Sequence, residues 1–490
     1  MYKKQNNNRV SWKFWSTGAK PCIRITCVLK IDPTRSEFYI RRESKTEKIS
    51  GVWKRLRSNR FINNTNWLIF QNIYSMGLSL VVGALSARYL GPSNYGLIGY
   101  GASLVNLFTA ISQLGIDNVL INEMMKHPED KGRVMGTALC MRACSATVSL
   151  VCAMVLVILI EPGNYVLWFI TGIQAFAIAL RAYELLNEWF LSELKSKYYV
   201  IANICGQTAV GVWKIILLIL QASVVWFAAS TTIQAFVCGG IVITVFLLTR
   251  DFRLGFCLQY ARDIFSRSKH YVLAGLAIAL YTQMDKVMLG KLMGEKEVGF
   301  YTAAMTIAML WEFVPQAIIN SSRVLILEKK KKDEQEYLNE LQLLLFAINI
   351  LGLAVGVVMQ LFGGIAVHIL YGKEYEAAVP VLKLLIWSTM FAMVGVARNI
   401  WSVAEEKNQY SKNYTICGGI FNLVFNAVTI PVWGIYGAAV STLGAQIVVA
   451  ILSPLFWKDT RPFVDIYINS WKKGFVYLRN FLYKKSGNHP

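Results

Sequence analysis

Residues 135–160 read MGTALCMRACSATVSLVCAMVLVILI, an apolar run in which Arg142 is the one charged residue. An α-helix needs about twenty predominantly apolar residues to cross about 30 Å of hydrocarbon. Comparable runs recur along most of the chain. Segments such as 351–358 are apolar at every position, whereas the strands of a membrane β-barrel are apolar at every second one. The sequence therefore predicts an all-α polytopic membrane protein.

The composition agrees with this fold class and argues against a soluble enzyme. Of the 490 residues, 55% are hydrophobic and 16% are charged, whereas a soluble domain has about 25% charged residues. The sequence contains no phosphate-binding loop, no metal-ligand spacing and no Ser/His/Asp constellation. We predict a transporter rather than an enzyme, without catalytic residues, bound metal or cofactor.

Hydropathy and turn signals predict twelve membrane-spanning helices joined by short loops. The loops on one side are too short to form an extramembrane domain. The predicted spans cover residues 66–87, 95–115, 135–160, 163–181, 199–221, 223–248, 271–290, 299–322, 341–371, 378–401, 411–431 and 434–457.

Basic residues are distributed unevenly between the loops. The net charge is +21, and most of the 50 Lys and Arg residues lie in segments on the same side as the N-terminus. Because Lys and Arg collect on the cytoplasmic side of membrane proteins, we expect both termini in the cytoplasm. The same asymmetry accounts for the high net charge, so we expect no nucleic acid partner.

Residues 1–60 and 458–490 are predicted to be basic cytoplasmic tails. The first is expected to be disordered, lying on anionic membrane lipid or having no function.

Two short motifs recur at corresponding places in the chain, RYLGPSNYG between spans 1 and 2 and KLMGEKEVG between spans 7 and 8. Each is expected to form an outer turn, where glycine tolerates a positive φ. Both have the form basic-x-x-Gly-x4-Gly, with Arg88, Gly91 and Gly96 in the first copy and Lys291, Gly294 and Gly299 in the second.

This repeat predicts two lobes of six helices each. Six is an even number, so both halves enter the membrane from the same side and form parallel repeats about an axis along the membrane normal. The predicted domains are an N-lobe over 61–248, a cytoplasmic linker over 249–270 and a C-lobe over 271–457. Such a body suits alternating access, in which the lobes rock around a central cavity.

Five stretches in order resemble the polysaccharide flippases of the multidrug/oligosaccharidyl-lipid/polysaccharide exporter superfamily, the Wzx or O-antigen transporter type. The resemblance covers about residues 60–460, and the basic N-terminal tail departs from the family pattern. The stretches are RYLGPSNYGLIGY at 88–100, SQLGIDNVLI at 112–121, DKVMLGKLMGEKEVGFYTAA at 285–304, LYGKEYEAAVPVL at 370–382 and NLVFNAVTIPVWGIYGAAVSTL at 422–443.

The resemblance implies a function in the synthesis of surface polysaccharide such as the O-antigen of lipopolysaccharide. A protein of this type moves an undecaprenyl-diphosphate-linked oligosaccharide from the inner to the outer leaflet of the bacterial cytoplasmic (inner) membrane. Polymerisation or ligation follows, so polysaccharide polymerase and chain-length machinery are the partners that the resemblance suggests. It also implies transport driven by an ion gradient.

Charged residues within the spans are the candidates for this function, because a charge at mid-bilayer costs about 2.5–3.5 kcal/mol. Arg142, Lys214, Lys286 and Arg398 are predicted to line a cationic substrate cavity, where they would hold diphosphate. Interhelical salt bridges or snorkelling to the membrane surface are the competing interpretations.

Two carboxylates and nine amides complete the set of candidates. Glu312 and Asp285 are candidates for ion coupling, since a desolvated carboxylate can carry a coupling proton. The amide side chains could bind glycan hydroxyls, or equally form hydrogen bonds across helices. They are Asn106, Gln113, Gln174, Gln207, Gln234, Gln283, Asn349, Asn422 and Asn426.

Two other functions remain open at this point. A cation-coupled multidrug exporter of the same superfamily would have the same body but should present an acidic or apolar cavity. The deep charges predicted here are mostly basic, which favours the flippase. A membrane-embedded glycan polymerase would need a large outer loop, and none of the predicted outer loops is long enough.

Overall fold

The computed structural model describes residues 60–193 and 195–485. Throughout these residues the secondary structure is helical, without strands. The described residues from 64 onward form one compact unit, and the following account concerns that unit. The predicted disordered tail, residues 1–60, lies outside the described residues except for Arg60.

The first half of the described chain contains nine α-helices. Short 3₁₀ turns separate several of them. The helices are α1 (Arg60–Asn106), α2 (Thr109–Gln113), α3 (Leu120–Lys126), α4 (Lys131–Ile160), α5 (Tyr165–Leu180), α6 (Leu186–Ser192), α7 (Ser196–Ile219), α8 (Val224–Ala228) and α9 (Ser230–Thr249).

The second half contains eight α-helices. A π-helical segment, Val448–Leu452, and a 3₁₀ turn, Ser453–Phe456, follow the seventh of them. The helices are α10 (Leu258–Met293), α11 (Glu295–Met309), α12 (Phe313–Lys330), α13 (Glu334–Tyr371), α14 (Ala378–Ala404), α15 (Ser411–Trp433), α16 (Ile435–Ile447) and α17 (Arg461–Lys485).

The described helices provide ten or eleven candidate membrane crossings, where the sequence predicts twelve. Ten helices are long and apolar enough to span a membrane, and an eleventh crossing consists of α11 and α12, which are bent by 43° at a short break. Helix α1 counts as one of the ten, although it contains two helices that meet at Gly91 with φ 69° and ψ 170°.

Three apolar clusters show how the two halves are arranged. One cluster is shared by both halves and includes Val157 of α4 and Val367 of α13. The opposite end of α4 contributes Val134 to a second cluster, which is built mostly from the first half. The opposite end of α13 contributes Leu341 to a third cluster, built from the second half. The halves therefore share a core at one end of the helices, here called the joined end, and have separate cores at the other, called the separate end.

Helix α10 connects the halves. It begins inside the predicted linker, and Ile264 in its first turns belongs to the core of the first half. The predicted boundary at residue 271 thus falls within one continuous helix. Later in α10, Leu289 belongs to the shared core, so this helix runs from the separate end to the joined end.

The predicted continuous span 299–322 is wrong in one respect, because the chain breaks at residues 310–312. Pro315 explains the break. Proline has no backbone N–H and its ring clashes with the carbonyl four residues earlier, which here belongs to Trp311. Glu312 consequently lies at the N-terminus of α12 and not in the middle of a helix.

The segment predicted only as a basic tail, 458–490, contains a further helix. Over its described part, α17 packs along α13. Phe463 is fully buried, and its ring centroid lies 5.6 Å from that of Trp401. The sequence analysis missed this helix because the segment is too polar to resemble a membrane span.

Candidate functional site

The joined end is built from the two copies of the basic-x-x-Gly-x4-Gly motif. Gly91 and Gly294 both have a positive φ, 69° and 94°, at the point where one helix ends and the next begins. Their ψ values are also similar, 170° and 172°. The two copies therefore make the same turn in each half.

The basic residue of each copy reaches into the opposite half. Arg88 Nη2 donates hydrogen bonds to the carbonyls of His368 and Ile369, at distances of 3.0 and 2.5 Å, near the C-terminus of α13. Lys291 Nζ donates to the carbonyl of Ile160, at 2.7 Å, the last residue of α4. A cation at a helix C-terminus satisfies free carbonyls and interacts favourably with the helix dipole. Each half thus donates a basic side chain to a helix C-terminus of the other half.

The second glycine of each copy permits direct contact between the backbones. A Cβ atom on Gly96 would lie 1.7 Å from the carbonyl oxygen of Glu295, and one on Gly299 would lie 2.0 Å from that of Pro92. Gly96 and Gly299 are therefore the points at which the two halves cross. Tyr375 adds a hydrogen bond from its hydroxyl to the carbonyl of Ala87, at 2.9 Å.

Asp285 is the most heavily hydrogen-bonded of the predicted site residues. Its side chain is buried, and Oδ1 accepts hydrogen bonds from the amides of Asn422 and Asn426, at 2.9 and 2.6 Å. Oδ2 accepts hydrogen bonds from the hydroxyls of Tyr301 and Thr442, at 2.8 and 2.6 Å. All four donors are neutral, and Asp285 forms no ion pair within the described residues.

One polar atom of this cluster remains unsatisfied. Asn426 Oδ1 is buried and has no hydrogen-bond partner among the described residues. The Thr442 hydroxyl lies 2.9 Å from the carbonyl of Ala438. A carboxylate, an amide oxygen, a hydroxyl and a backbone carbonyl thus come together from α10, α15 and α16. Sequence analysis named Asp285 and included the two asparagines among nine candidate amides, but it missed Tyr301 and Thr442, which lie in different spans and show no local motif.

Glu312 begins a polar stripe along α12. It is partly exposed, and Gln316, Asn320 and Arg323 follow it at helical spacing on the same face. Gln316 donates a hydrogen bond to Asn320 Oδ1 at 3.4 Å. The apolar residues Pro315 and Ile319 of the same helix are buried. The sequence analysis did not single out these three neighbours of Glu312.

Arg142 is buried inside the first half. Its Nη1 donates to both carboxylate oxygens of Asp117, at 3.2 and 3.0 Å, and to the carbonyl of Gln113, at 3.0 Å. Gln113 ends α2, and the next two residues, Leu114 and Gly115, have a positive φ. Arg142 thus stabilises a helix break through an interhelical salt bridge, the alternative that the sequence left open.

Arg398 is likewise packed into the fold of the second half. Its side chain is buried and donates hydrogen bonds to the carbonyls of Val449 and Ala450 in the π-helical segment. The guanidinium carbon lies 4.1 Å from the centre of the Tyr414 ring. Arg398 thus donates to carbonyls that the π-helical turn leaves free, and its place in the substrate cavity stays a prediction.

Lys214 and Lys286 are the predicted cavity cations that stay partly exposed. Neither forms an ion pair within the part of the chain that the structure describes. Lys214 lies on α7 of the first half and Lys286 on α10, next to Asp285. Of the four predicted cavity residues, these two form neither a hydrogen bond nor an ion pair through their side chains within the described residues.

Comparison with known proteins places the chain in a family. A family model described as polysaccharide biosynthesis protein matches residues 85–380. The match covers more than half of the chain, and the chain belongs to the polysaccharide biosynthesis protein family. This confirms the resemblance inferred from the sequence motifs.

Two curated relatives have related functions. Agl15 of Haloferax volcanii, designated a probable low-salt glycan biosynthesis flippase, is 25% identical over 188 residues, or 37% of this chain. The chain spans 39% of the length of Agl15. A protein of Shigella flexneri provisionally designated an O-antigen transporter is 22% identical over 426 residues, which cover 82% of this chain and 98% of that protein.

Solved structures share the fold. The lipid II flippase MurJ, in an inward closed conformation, matches with a TM-score of 0.62 and 15% identity, over 84% of this chain and 92% of that chain. A MATE protein in a bent conformation matches with a TM-score of 0.51 and 16% identity, over 85% and 98%. The chain therefore shares the fold of these two membrane proteins.

The glycine crossing makes a prediction about stability. Leucine at position 299 would push the two halves apart, and overpacking of this kind costs about 1–3 kcal/mol. We expect Gly299→Leu to lower the unfolding temperature of the purified protein by several degrees, measured by fluorescence-detected size-exclusion chromatography after heating. Gly395→Leu is the matched control, because a Cβ atom there meets nothing within 4 Å. Equal stability of the two variants would contradict the crossing.

A second prediction distinguishes a structural role of Arg398 from a role in substrate binding. Arg398→Met removes the hydrogen-bond donors and leaves buried carbonyls unsatisfied, at a cost of about 2 kcal/mol. Lys383→Met on the same helix removes an equal charge from a partly exposed side chain. We expect a lower unfolding temperature for the first variant only. Loss of transport at unchanged stability would instead support a place in the substrate cavity.

Proposed function

We propose that the protein is a flippase that moves undecaprenyl-diphosphate-linked oligosaccharide repeat units across the bacterial cytoplasmic membrane. Transport runs from the inner to the outer leaflet, by alternating access of the two halves, and supplies O-antigen or another surface polysaccharide. Both termini lie in the cytoplasm. Polysaccharide polymerase and chain-length machinery act on the product in the outer leaflet. The designations of Agl15 and of the Shigella protein support this assignment.

The arrangement of the apolar cores is the observation that carries the proposal. The halves share a core at the joined end and have separate cores at the separate end. A body of this kind can rock about its middle without exposing the interior of either half. Because most basic loop residues lie toward the separate end, the positive-inside rule puts that end in the cytoplasm. The state described here would then accept substrate from the inner leaflet.

The chemistry of the substrate matches the available side chains. A diphosphate needs cations, and Lys214, Lys286 and Arg323 are at least partly exposed and free of ion pairs among the described residues. Sugar hydroxyls need neutral hydrogen-bonding groups, which Gln316 and Asn320 provide on the stripe of α12. These residues are the substrate-binding set that we propose.

The Asp285 cluster is the proposed site of ion coupling. A single negative charge surrounded by neutral oxygen-bearing groups suits one proton or one monovalent cation. Rotation of the Asn426 amide would turn its unsatisfied oxygen toward the carboxylate, since the two ends of an amide have nearly the same shape. A bound cation would then have oxygen ligands from Asp285, Asn426, Thr442 and Ala438. Glu312 remains a second candidate for coupling by proton transfer.

Depletion of the protein in its own host tests substrate and direction together. We expect lipid-linked repeat units to accumulate in the inner leaflet and surface glycan to be lost, measured by leaflet-selective labelling of the lipid-linked glycan. Lys286→Gln should lower export at least about tenfold, because an interaction with a charged group contributes about 1.5–3 kcal/mol.

Lys269→Gln is the matched control, because this exposed lysine precedes the first membrane-embedded part of α10. It should export normally at the same protein level. Unchanged lipid-linked glycan together with increased retention of cationic drugs would replace the flippase by the multidrug exporter of the same superfamily.

The coupling site has its own test in proteoliposomes. Asp285→Asn keeps the size of the side chain and removes its charge, so we expect transport to lose its dependence on the driving ion gradient. The measurement is the initial flipping rate with sodium and proton gradients imposed separately. The same measurement on Glu312→Gln shows whether Glu312, rather than Asp285, couples transport to the ion gradient. Full ion dependence in Asp285→Asn would rule out the cluster as the coupling site.

A further inference from the structure

Arg398 is a buried cation that no acidic side chain balances. Its side chain is 3% exposed, and no carboxylate pairs with it among the described residues. Its Nη1 donates to the carbonyls of Val449 and Ala450, but its Nε has no hydrogen-bond partner within the same part of the chain. Carbonyl oxygens carry only a partial charge, so the charge of the guanidinium remains uncompensated. A buried charge is costly unless a partner of opposite sign accompanies it.

Two serine hydroxyls lie one helical turn from the groups that Arg398 joins. Ser402 follows Arg398 by four residues on α14, and Ser453 follows Val449 by four residues, directly after the π-helical segment. Positions four apart lie on the same face of a helix, so both serines lie on the faces that meet at the guanidinium. Both are fully buried, and neither hydroxyl has a hydrogen-bond partner in the described chain.

Helix α15 closes another side of this site. The Tyr414 ring lies against the guanidinium, with the ring centre 4.1 Å from the guanidinium carbon. One turn later, Gly418 lies against Val449, where a Cβ atom would come within 2.2 Å of Cγ2. Tyr414 is fully buried as well. The site is therefore enclosed by α14, α15 and the π-helical segment, where bulk water does not screen the charge.

The free donors of this site select a small anion. Arg398 Nε can only donate a hydrogen bond, and a serine hydroxyl can turn its hydrogen toward an acceptor. A water molecule would accept these hydrogen bonds but would leave the charge of the guanidinium uncompensated. Phosphate and carboxylates are less suitable, because Arg398, Ser402 and Ser453 are at most 3% exposed. A monatomic anion meets both the charge and the size requirement.

We propose that the second half binds one chloride ion between Arg398, Ser402 and Ser453. The ion accepts hydrogen bonds from Arg398 Nε and from the two hydroxyls, and it compensates the charge of the guanidinium. It thereby joins α14 to the π-helical segment at the separate end. This chloride is a bound structural ion and not the transported substrate, so the proposal does not depend on the proposed flippase function.

Equilibrium binding of radioactive chloride to the purified full-length protein tests the site directly. We expect saturable binding by the wild type. S402A/S453A should weaken it at least about tenfold, because two hydrogen bonds to the ion are lost, and Arg398→Met should abolish it. The matched control S388A/S441A removes buried hydroxyls of α14 and α16 that have partners of their own, and it should bind chloride as the wild type does. Inorganic diphosphate should not compete, because the site is enclosed.

The unfolding temperature distinguishes chloride from buried water. At constant ionic strength, replacing gluconate by chloride should raise the unfolding temperature of the wild type and of S388A/S441A by a few degrees, because an ion that binds only the folded state stabilises it. The increase should be much smaller for S402A/S453A. Without chloride this variant should be at least as stable as the wild type, since it loses only hydroxyls that have no partner. That result also establishes that the variant is folded.

Three results would contradict the proposal. An unfolding temperature of the wild type that does not depend on chloride would show that water alone occupies the site. Displacement of chloride by diphosphate would place the bound anion in the substrate cavity. Equal chloride affinity of S402A/S453A and the wild type would exclude the two serines as ligands.

Discussion

The rest of the architecture depends on the contact between Gly96 and Gly299. At this point two helices of different halves approach so closely that a single methyl group on either glycine would overlap the backbone of the other half. Small residues at helix crossings are the means by which membrane proteins bring helices together, because lipid offers no hydrophobic force for association. The side chains of Arg88 and Lys291 complete the contact, since each satisfies helix-terminal carbonyls of the opposite half.

Apart from α10, the two halves share an apolar core only at the joined end, and this arrangement has a functional consequence. The helices α4 and α13 each have one end in the shared core and one end in the core of their own half. Helix α10 contributes to both, and it carries Asp285 six residues before Lys291. In the proposed mechanism, a change of charge at Asp285 alters how α10 packs on α15 and α16. It thereby alters the position of the lysine that holds the joined end. Coupling and gating would then share one helix.

Much of the fold could be predicted from the sequence because its signals are local. Long apolar runs predict helices, and the recurrence of RYLGPSNYG as KLMGEKEVG predicts two equivalent turns, which Gly91 and Gly294 make with similar dihedral angles. The broken span was missed although Pro315 was visible, and α17 was missed because its apolar residues do not form a continuous run.

The functional site was harder to predict than the fold, because the burial and the partners of a side chain are not local properties of the sequence. Arg142 and Arg398 have the same charge as Lys214 and Lys286, yet the first two donate hydrogen bonds inside the fold and the last two donate none within the described residues.

The proposed alternating access is tested most directly by distances between spin labels on the two halves during transport. One pair, at the exposed Glu193 and Lys332, reports the separate end, and a second pair, at the exposed Tyr165 and Tyr436, reports the opposite end. We predict that lipid-linked glycan together with the driving ion gradient populates a second state, in which the first distance is shorter and the second is longer. Active transport with both distances unchanged, or with both changing in the same direction, would contradict the account.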